Sequence, residues 1–433
     1  MPGHGGLKQK ADYTPEQKKI YTELVWFQKK FFSFDVTEIG ETDNLSAPTG
    51  IIKKSEENLA RIYGAKRGYY LVNGSSAGVL SAVNFLVHKR EKVIIQDISH
   101  KSVINICRIN ELETVVLPTK RYGNFGFTGK ISLRDLNRTL DENPDAKAVI
   151  ITSPDYFGTV QDIYEISKAV HENNMYLIVD MAHGAHFVYS DLFCDFATKS
   201  GADIAVTSFH KTLPAMNQTA VLFAGYSLGD YICDGLQESI NLFQTTSPSY
   251  PMMVNMEIAA ECLDEYGEKI YSDLEKNVDE LKKELSAQKN IFIFKNDDFS
   301  RLIIGLRNVS TTFANSIFTK KFGIIPEMYN DSVFVFILNI FHTKDDLKKL
   351  RAALIYLANA YENYDIVEGT VVTDGLQDEL YSYLLENIGQ KSDKTIYIYP
   401  PGNALVKKGE CITQNHLKSA EPAKAGKSVR LLT

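Results

Sequence analysis

Between residues 68 and 211 the chain alternates short, β-rich apolar runs with helix-patterned stretches. "GYYLVNGSS" precedes "AGVLSAVNFLVHKR", "KVIIQDIS" precedes "HKSVINICRINE", "AKAVIITSP" precedes "DIYEISKAVHENN", and "YLIVDMAHG" and "DIAVTSFHK" follow. This alternation predicts an α/β fold with a mostly parallel sheet covered by helices. In such sheets ligands bind beyond the carboxyl ends of the strands. The residues that follow each run are therefore the candidates for function: Gly74, Ser75 and Ser76; His100; Ser153 and Pro154; Asp180 with His183; and Ser208, His210 and Lys211.

After about Tyr250 the pattern changes to longer helical stretches such as "NMEIAAECLDEYGEKIYSDLEKNVDELKKELSAQ", then "FIFKNDDFSRLIIGLRN". This predicts a smaller α+β domain reached through a long connecting helix. A further segment holds "TIYIYPPGNALVKKGECIT", strand-like and broken by Pro400, Pro401 and Gly402, and the closing "EPAKAGKSVRLLT" reads as exposed. The expected organisation is an N-terminal segment 1–45, a large domain 46–250, a small α+β domain 251–365 and a C-terminal segment 366–433, as suits 433 residues. A formal charge of −7 leaves no basic footprint for nucleic acid. The apolar runs are far shorter than the roughly 18 residues of a membrane span, and "MPGHGGLKQK" lacks a signal peptide's apolar core. A cytoplasmic protein is expected. Cys107, Cys194, Cys233, Cys262 and Cys411 are far apart with no CxxC pair, which predicts reduced thiols.

Lys211 ends an apolar run, "GADIAVTSFHK", and a lysine is almost never fully buried unless paired. Either its ammonium reaches solvent past the strand or it has a chemical task. A Gly-Ser-Ser at a strand end leading into a helix offers hydroxyls, backbone N–H groups and a helix N-terminus, which favour a phosphate; plain N-capping is the alternative. Asp180 closes "MYLIVD", where a carboxylate is costly without a partner, so a cap or buried salt bridge competes with a functional role. His100 and His210 can each be satisfied core histidines. Taken together and in order, these residues are the set expected for pyridoxal 5'-phosphate. Lys211 would form a Schiff base with the aldehyde, and Asp180 would face the pyridine nitrogen and keep it protonated as an electron sink.

"PGHGG" at residues 2–6, "DVTEIGETDNL" at 35–45, "NGSSAG", "SHKSV", "TSPDYFG", "VDMAHGAHF", "TSFHKTL", "TTSPSY" at 245–250 and "YPPGNALVKKGE" at 399–410 occur in this order. With them the chain resembles the bacterial ornithine/lysine/arginine decarboxylases, in their short form without an N-terminal wing domain. The resemblance runs from residue 2 to about residue 413. It implies the aspartate-aminotransferase fold (fold type I) and α-decarboxylation of lysine, arginine or ornithine to the amine and CO2, chemistry of the kind used in polyamine metabolism. It makes Lys211 the Schiff-base lysine, Asp180 the partner of the pyridine nitrogen and His100 the residue stacked on the ring. Ser75, Ser76, Ser208 and His210 would hold the phosphate, and His183 would donate to the ring hydroxyl. Thr246 or Ser247 would reach the phosphate from the other subunit of a homodimer with shared sites. Glu410 would lie near the substrate's distal amino group. Met181 stands where the family often has Glu, and Asn403 and Ala404 replace the Ile-Pro of its usual "YPPGIP".

Loss of CO2 leaves electrons on Cα, which a protonated pyridinium absorbs when the breaking bond stands perpendicular to the ring. An aminotransferase or carbon–sulfur lyase on the same fold is the alternative reading, with Arg301, Arg307 and Arg351 as candidate carboxylate-binding groups. Another is a non-catalytic relative that retains the cofactor. His183 and His186 of "HGAH" raise a metal hydrolase, though no third ligand has motif spacing.

Overall fold

Seven strands build the main sheet: β1 (Arg67–Leu71), β2 (Lys92–Gln96), β3 (Glu113–Leu117), β4 (Ala146–Thr152), β5 (Tyr176–Asp180), β6 (Ile204–Ser208) and β7 (Ala220–Ala224). The computed structural model describes residues 3–4, 6–122, 127–307, 309–330, 332–360, 384, 386–392, 396–399, 403–406, 409–416 and 428–431. The spatial order is β1-β7-β6-β5-β4-β2-β3. All neighbours are parallel except at β7, which runs against both β1 and β6. The expected mostly parallel sheet is thus present. β3 and β7 lie outside the runs expected from the sequence; "AVLFA" of β7 is a short apolar run buried at every position, as a central strand must be.

One face of the sheet is covered by the helices Gly74–Leu86, Lys101–Ile109 and Asp230–Phe243. Val79, Ala82, Val83 and Leu86 pack with Leu71, Ile95, Ile150, Ile178, Val206 and Leu222 in this core. Fully burying each large aliphatic side chain contributes about 1.5–3 kcal/mol. Elsewhere in the unit, Tyr63 stacks on Phe223 with ring centroids 4.4 Å apart and meets Phe196 edge-on, while its hydroxyl donates to Ala185 O at 2.8 Å.

Side chains take up part of the outer edge of β1. Tyr70 N–H donates to Glu56 Oε1 (2.9 Å) and Val72 N–H to Gln244 Oε1 (2.9 Å), so two side chains replace a further strand. Glu56 sits on the helix Ile51–Tyr63, whose start is capped by Asp43 accepting from Gly50 and Ile52 N–H.

Two compact units are delimited: Met1–Val278 with Asn296–Ser300 and Leu338–Asp345, and Asp279–Lys295 with Arg301–Ile337 and Asp346–Thr433. The division falls inside the 37-residue helix Tyr250–Ser286, the long connecting helix of the sequence reading. In the second unit β8 (Ile291–Phe294), β9 (Arg301–Leu306), β10 (Met328–Tyr329) and β11 (Phe334–Ile337) form an antiparallel sheet in the order β8-β9-β11-β10. Further along, β12 (Ile396–Tyr399) pairs antiparallel with both β13 (Asn403–Val406) and β14 (Ser428–Leu431). Residues 428–431, in the tail expected to be exposed, pair as a strand, and the alternation Ser-Val-Arg-Leu has the period of one. Pro400, Pro401 and Gly402 lie outside the described residues. No helix among the described residues is long and apolar enough to cross a membrane.

Candidate active site

Strand register brings the candidates to one edge. Leu71 pairs with Ala220, which pairs with Ser208 on its other side, so β1 and β6 end level with each other across β7. Thr152 pairs with Asp180, and Asp180 with Val206, so β4 and β5 finish together and β6 runs two residues further, to Ser208. Chain segments that are far apart in sequence therefore leave the sheet side by side.

Beyond β1 the chain turns through Gly74, whose φ of +78° few other residues adopt, and enters the helix Gly74–Leu86. Ser75 and Ser76 occupy its first turn, where backbone N–H groups lack intrahelical partners. Ser208 Oγ donates to Ser75 Oγ at 2.7 Å, joining the two strand ends. Ser208 is fully buried and Ser76 exposed, so the hydroxyls run from the sheet edge toward solvent.

Asp180 is buried, and its Oδ1 accepts the Ala182 N–H at 3.0 Å, which fixes the carboxylate at the strand end. The turn that follows places the buried His183 with Nε2 3.2 Å from Lys211 Nζ. Tyr156 meets the His183 ring edge-on, centroids 5.2 Å apart at 78°. Lys211 belongs to the four-residue helix Phe209–Thr212 that follows β6 directly.

His100 is the N-cap of the helix Lys101–Ile109: its Nδ1 accepts from Ser102 N–H at 3.2 Å and lies 2.8 Å from Ser102 Oγ. Burial holds its pKa below the usual histidine range; the Asp180 carboxylate pulls upward, and the Lys211 and Lys101 ammoniums push down. His100 thus lies within electrostatic reach of both Asp180 and Lys211. His210 Nδ1 donates to Thr219 O at 3.2 Å, and burial lowers its pKa too, against that hydrogen bond.

Thr246 and Ser247 are exposed on the turn between the helices Asp230–Phe243 and Tyr250–Ser286. Glu410, in the second unit, is exposed and has its Oε1 3.6 Å from His416 Nε2. Of the three arginines weighed for an aminotransferase, Arg301 is fully buried, Arg307 lies over the Phe292 ring, and Arg351 pairs with Glu284 at 2.5 Å. Met181 is buried, with its N–H donated to Val206 O. The side chains of Asn403 and Ala404 lie outside the described residues.

His186, the second histidine of "HGAH", turns away to a buried pairing with Asp298 at 3.4 Å. Among the described residues no group of three or more His, Cys, Asp or Glu is placed to hold a metal ion. Tyr156, in "TSPDYFG", has no contact legible in the sequence. A strand-end aromatic was the available signal, but its neighbour His183 lies on a different strand end.

The donor set suits pyridoxal phosphate. An amine is available for an aldehyde, a fixed buried carboxylate for a ring nitrogen, and an imidazole of lowered pKa for a neutral contact. A helix start with three hydroxyls nearby suits a phosphate.

The family model described as "Orn/Lys/Arg decarboxylase, major domain" matches residues 1–315. Among curated proteins, the "Uncharacterized protein YaaO" of Bacillus subtilis (strain 168) is 33% identical over 295 residues, 67% of this chain and 58% of that protein, so the match spans little more than half of its length. The arginine decarboxylase of the same organism is 26% identical over 449 residues, covering 96% of this chain and 88% of that protein. Among solved structures, the constitutive lysine decarboxylase of Escherichia coli superposes with a TM-score of 0.72 at 17% identity, over 96% of this chain and 75% of that one. The architecture is that of the fold type I enzymes.

Proposed function

The chain belongs to the Orn/Lys/Arg decarboxylase family, and from that premise we propose that it removes the α-carboxylate of a basic amino acid as CO2, using pyridoxal phosphate. The observation that carries the reading is the gathering of Lys211, His183, Asp180 and His100 at the strand ends with the Ser75–Ser208 pair beside them.

When bound, pyridoxal phosphate supplies an electron sink for the pair left on Cα as CO2 departs. Lys211 is assigned to its aldehyde and His183 to its ring hydroxyl. Asp180 holds the proton at the ring nitrogen, a task helped by the N–H bond from Ala182 that fixes the carboxylate. His100 would cover the ring face; the burial that lowers its pKa favours the neutral imidazole, which would not oppose a positive charge at the ring nitrogen. Ser75, Ser76, Ser208 and His210 bind the phosphate together with the positive end of the helix Gly74–Leu86. A phosphate dianion there would oppose the burial that depresses His210 and favour its proton. Thr246 and Ser247 are assigned to the phosphate of a second copy in a homodimer. Glu410 is assigned to the substrate's distal cation. Lysine, arginine and ornithine share the two cationic ends this arrangement requires.

The test is incubation of the purified chain and pyridoxal phosphate with each of the three amino acids, measuring CO2 and amine together. Borohydride reduction and peptide mapping then locate the cofactor. Equimolar CO2 and amine with the label on Lys211 are expected. A keto acid in place of CO2 would move the chain to the aminotransferases, and label on Lys101 would sink the lysine assignment.

A further inference from the structure

The helix Phe209–Thr212 has four residues, and its helical hydrogen bond runs from Leu213 N to Phe209 O at 2.8 Å. So short a helix leaves later carbonyls without partners inside it. The carbonyl of His210, immediately before Lys211, accepts instead from Gly3 N–H at 2.9 Å. Gly3 is buried, and a Cβ built on it would stand 2.1 Å from Leu213 O and 2.8 Å from Leu213 C. Both are backbone atoms, which cannot swing aside as a side chain does. Gly3 therefore touches the lysine turn on both sides of Lys211, by a hydrogen bond at 210 and by close packing at 213.

We propose that Gly3, in the "PGHGG" stretch, is a positioning residue for Lys211: it clamps the backbone between His210 and Leu213 and so sets the direction in which Nζ reaches toward His183. The segment that presents Gly3 is itself fastened. His4 Nδ1 accepts from Gly6 N–H at 3.1 Å, Tyr13 Oη donates to Lys8 O at 2.8 Å, and Lys10 Nζ donates to Phe341 O at 2.9 Å. A methyl group at Gly3 has to push the lysine turn away by roughly 1 Å, the scale of misplacement that costs catalysis heavily. The inference rests on the reading of Lys211 as the residue that holds the cofactor.

The experiment compares the full chain, loaded with pyridoxal phosphate, with Gly3→Ala and with Gly40→Ala, whose Cβ would meet nothing within 4 Å. Gly3→Ala should lower kcat on the order of ten- to a hundredfold while KM changes by less than about threefold. It should also shift the pH midpoint of the cofactor's absorbance and speed amide exchange in peptides covering residues 209–213. Gly40→Ala should change none of these. Unaltered kcat, midpoint and exchange in a folded Gly3→Ala overturn the proposal. If that variant does not fold, the unmutated chain decides: the Gly3 amide should exchange at least about tenfold more slowly than in the denatured chain, and exchange at the denatured rate overturns the proposal. An unmutated chain that neither takes up the cofactor nor releases CO2 sinks the decarboxylase reading instead, and leaves the exchange result to stand by itself.

Discussion

Lys211 Nζ stands 3.2 Å from His183 Nε2, across the ends of two neighbouring parallel strands. At that distance the Lys211 ammonium donates a hydrogen bond to His183 Nε2, which accepts in the tautomer that carries its proton on Nδ1. Tyr156 braces the ring from the side. His183→Ala removes this contact and is expected to lower kcat/KM about ten- to a hundredfold, the worth of one hydrogen bond to a charged group. Steady-state CO2 release checks it; an unchanged kcat/KM would make the contact incidental.

His100 combines a cap and a ring, and two substitutions separate them. His100→Asn retains a side-chain acceptor suited to the N-cap, so urea unfolding should change by less than about 1 kcal/mol while CO2 release falls strongly. His100→Phe keeps a ring for stacking but loses the cap, costing about 1 kcal/mol of stability and sparing more of the activity. The opposite ranking of activities would assign His100 to the cap alone.

Thr246 and Ser247 are exposed in the single chain, as residues serving a second copy would be. Mixing an inactive Lys211→Ala chain with one changed at both Thr246 and Ser247 should restore part of the activity in heterodimers. Heterodimers that form, shown by mass, yet stay inactive would mean that each site is built from one chain.

Glu56 carries a buried carboxyl whose pKa burial pushes up to about 8, assisted by the Asp43 and Glu57 charges and opposed by the Tyr70 N–H and Lys53. Because this exceeds the ordinary 4.5, the folded chain keeps a proton that the unfolded chain releases. The contribution is full below pH 4.5 and is lost as the pH rises through 8. Glu56→Gln keeps an oxygen for Tyr70 N–H and removes the titration. Urea unfolding should show the unmutated chain losing roughly 2–4 kcal/mol more than the variant between pH 5 and 8. Parallel curves would place the Glu56 titration outside that window.

Glu410→Gln tests the far end of the substrate. Losing a charge-assisted contact there should cost about ten- to a hundredfold in kcat/KM for the best dibasic amino acid, with the cofactor's absorbance unchanged. A purely solvated carboxylate, balanced by His416, predicts almost no change.

Local chemistry made much of this protein legible in one dimension. Apolar runs closed by small or ionisable residues mark strands β1, β2, β4, β5 and β6 and the edge at which they end, because in α/β sheets the strands finish together where the connections begin. A lysine after "TSFH" and an aspartate after "MYLIV" announce themselves because a charge at the end of a buried strand needs a reason.

What the sequence could not decide is which ends meet. β7 is antiparallel, and its pairing through Ala220 sets Leu71 level with Ser208; only that register brings Ser75 Oγ within 2.7 Å of Ser208 Oγ. Tyr156 against His183, and Gly3 against His210 and Leu213, are likewise products of chain segments meeting after folding. Periodicity and strand ends are properties of neighbours along the chain, and a sequence records them directly. Contacts between distant segments depend on strand order and register, which are settled by the packing of the whole sheet and its helices.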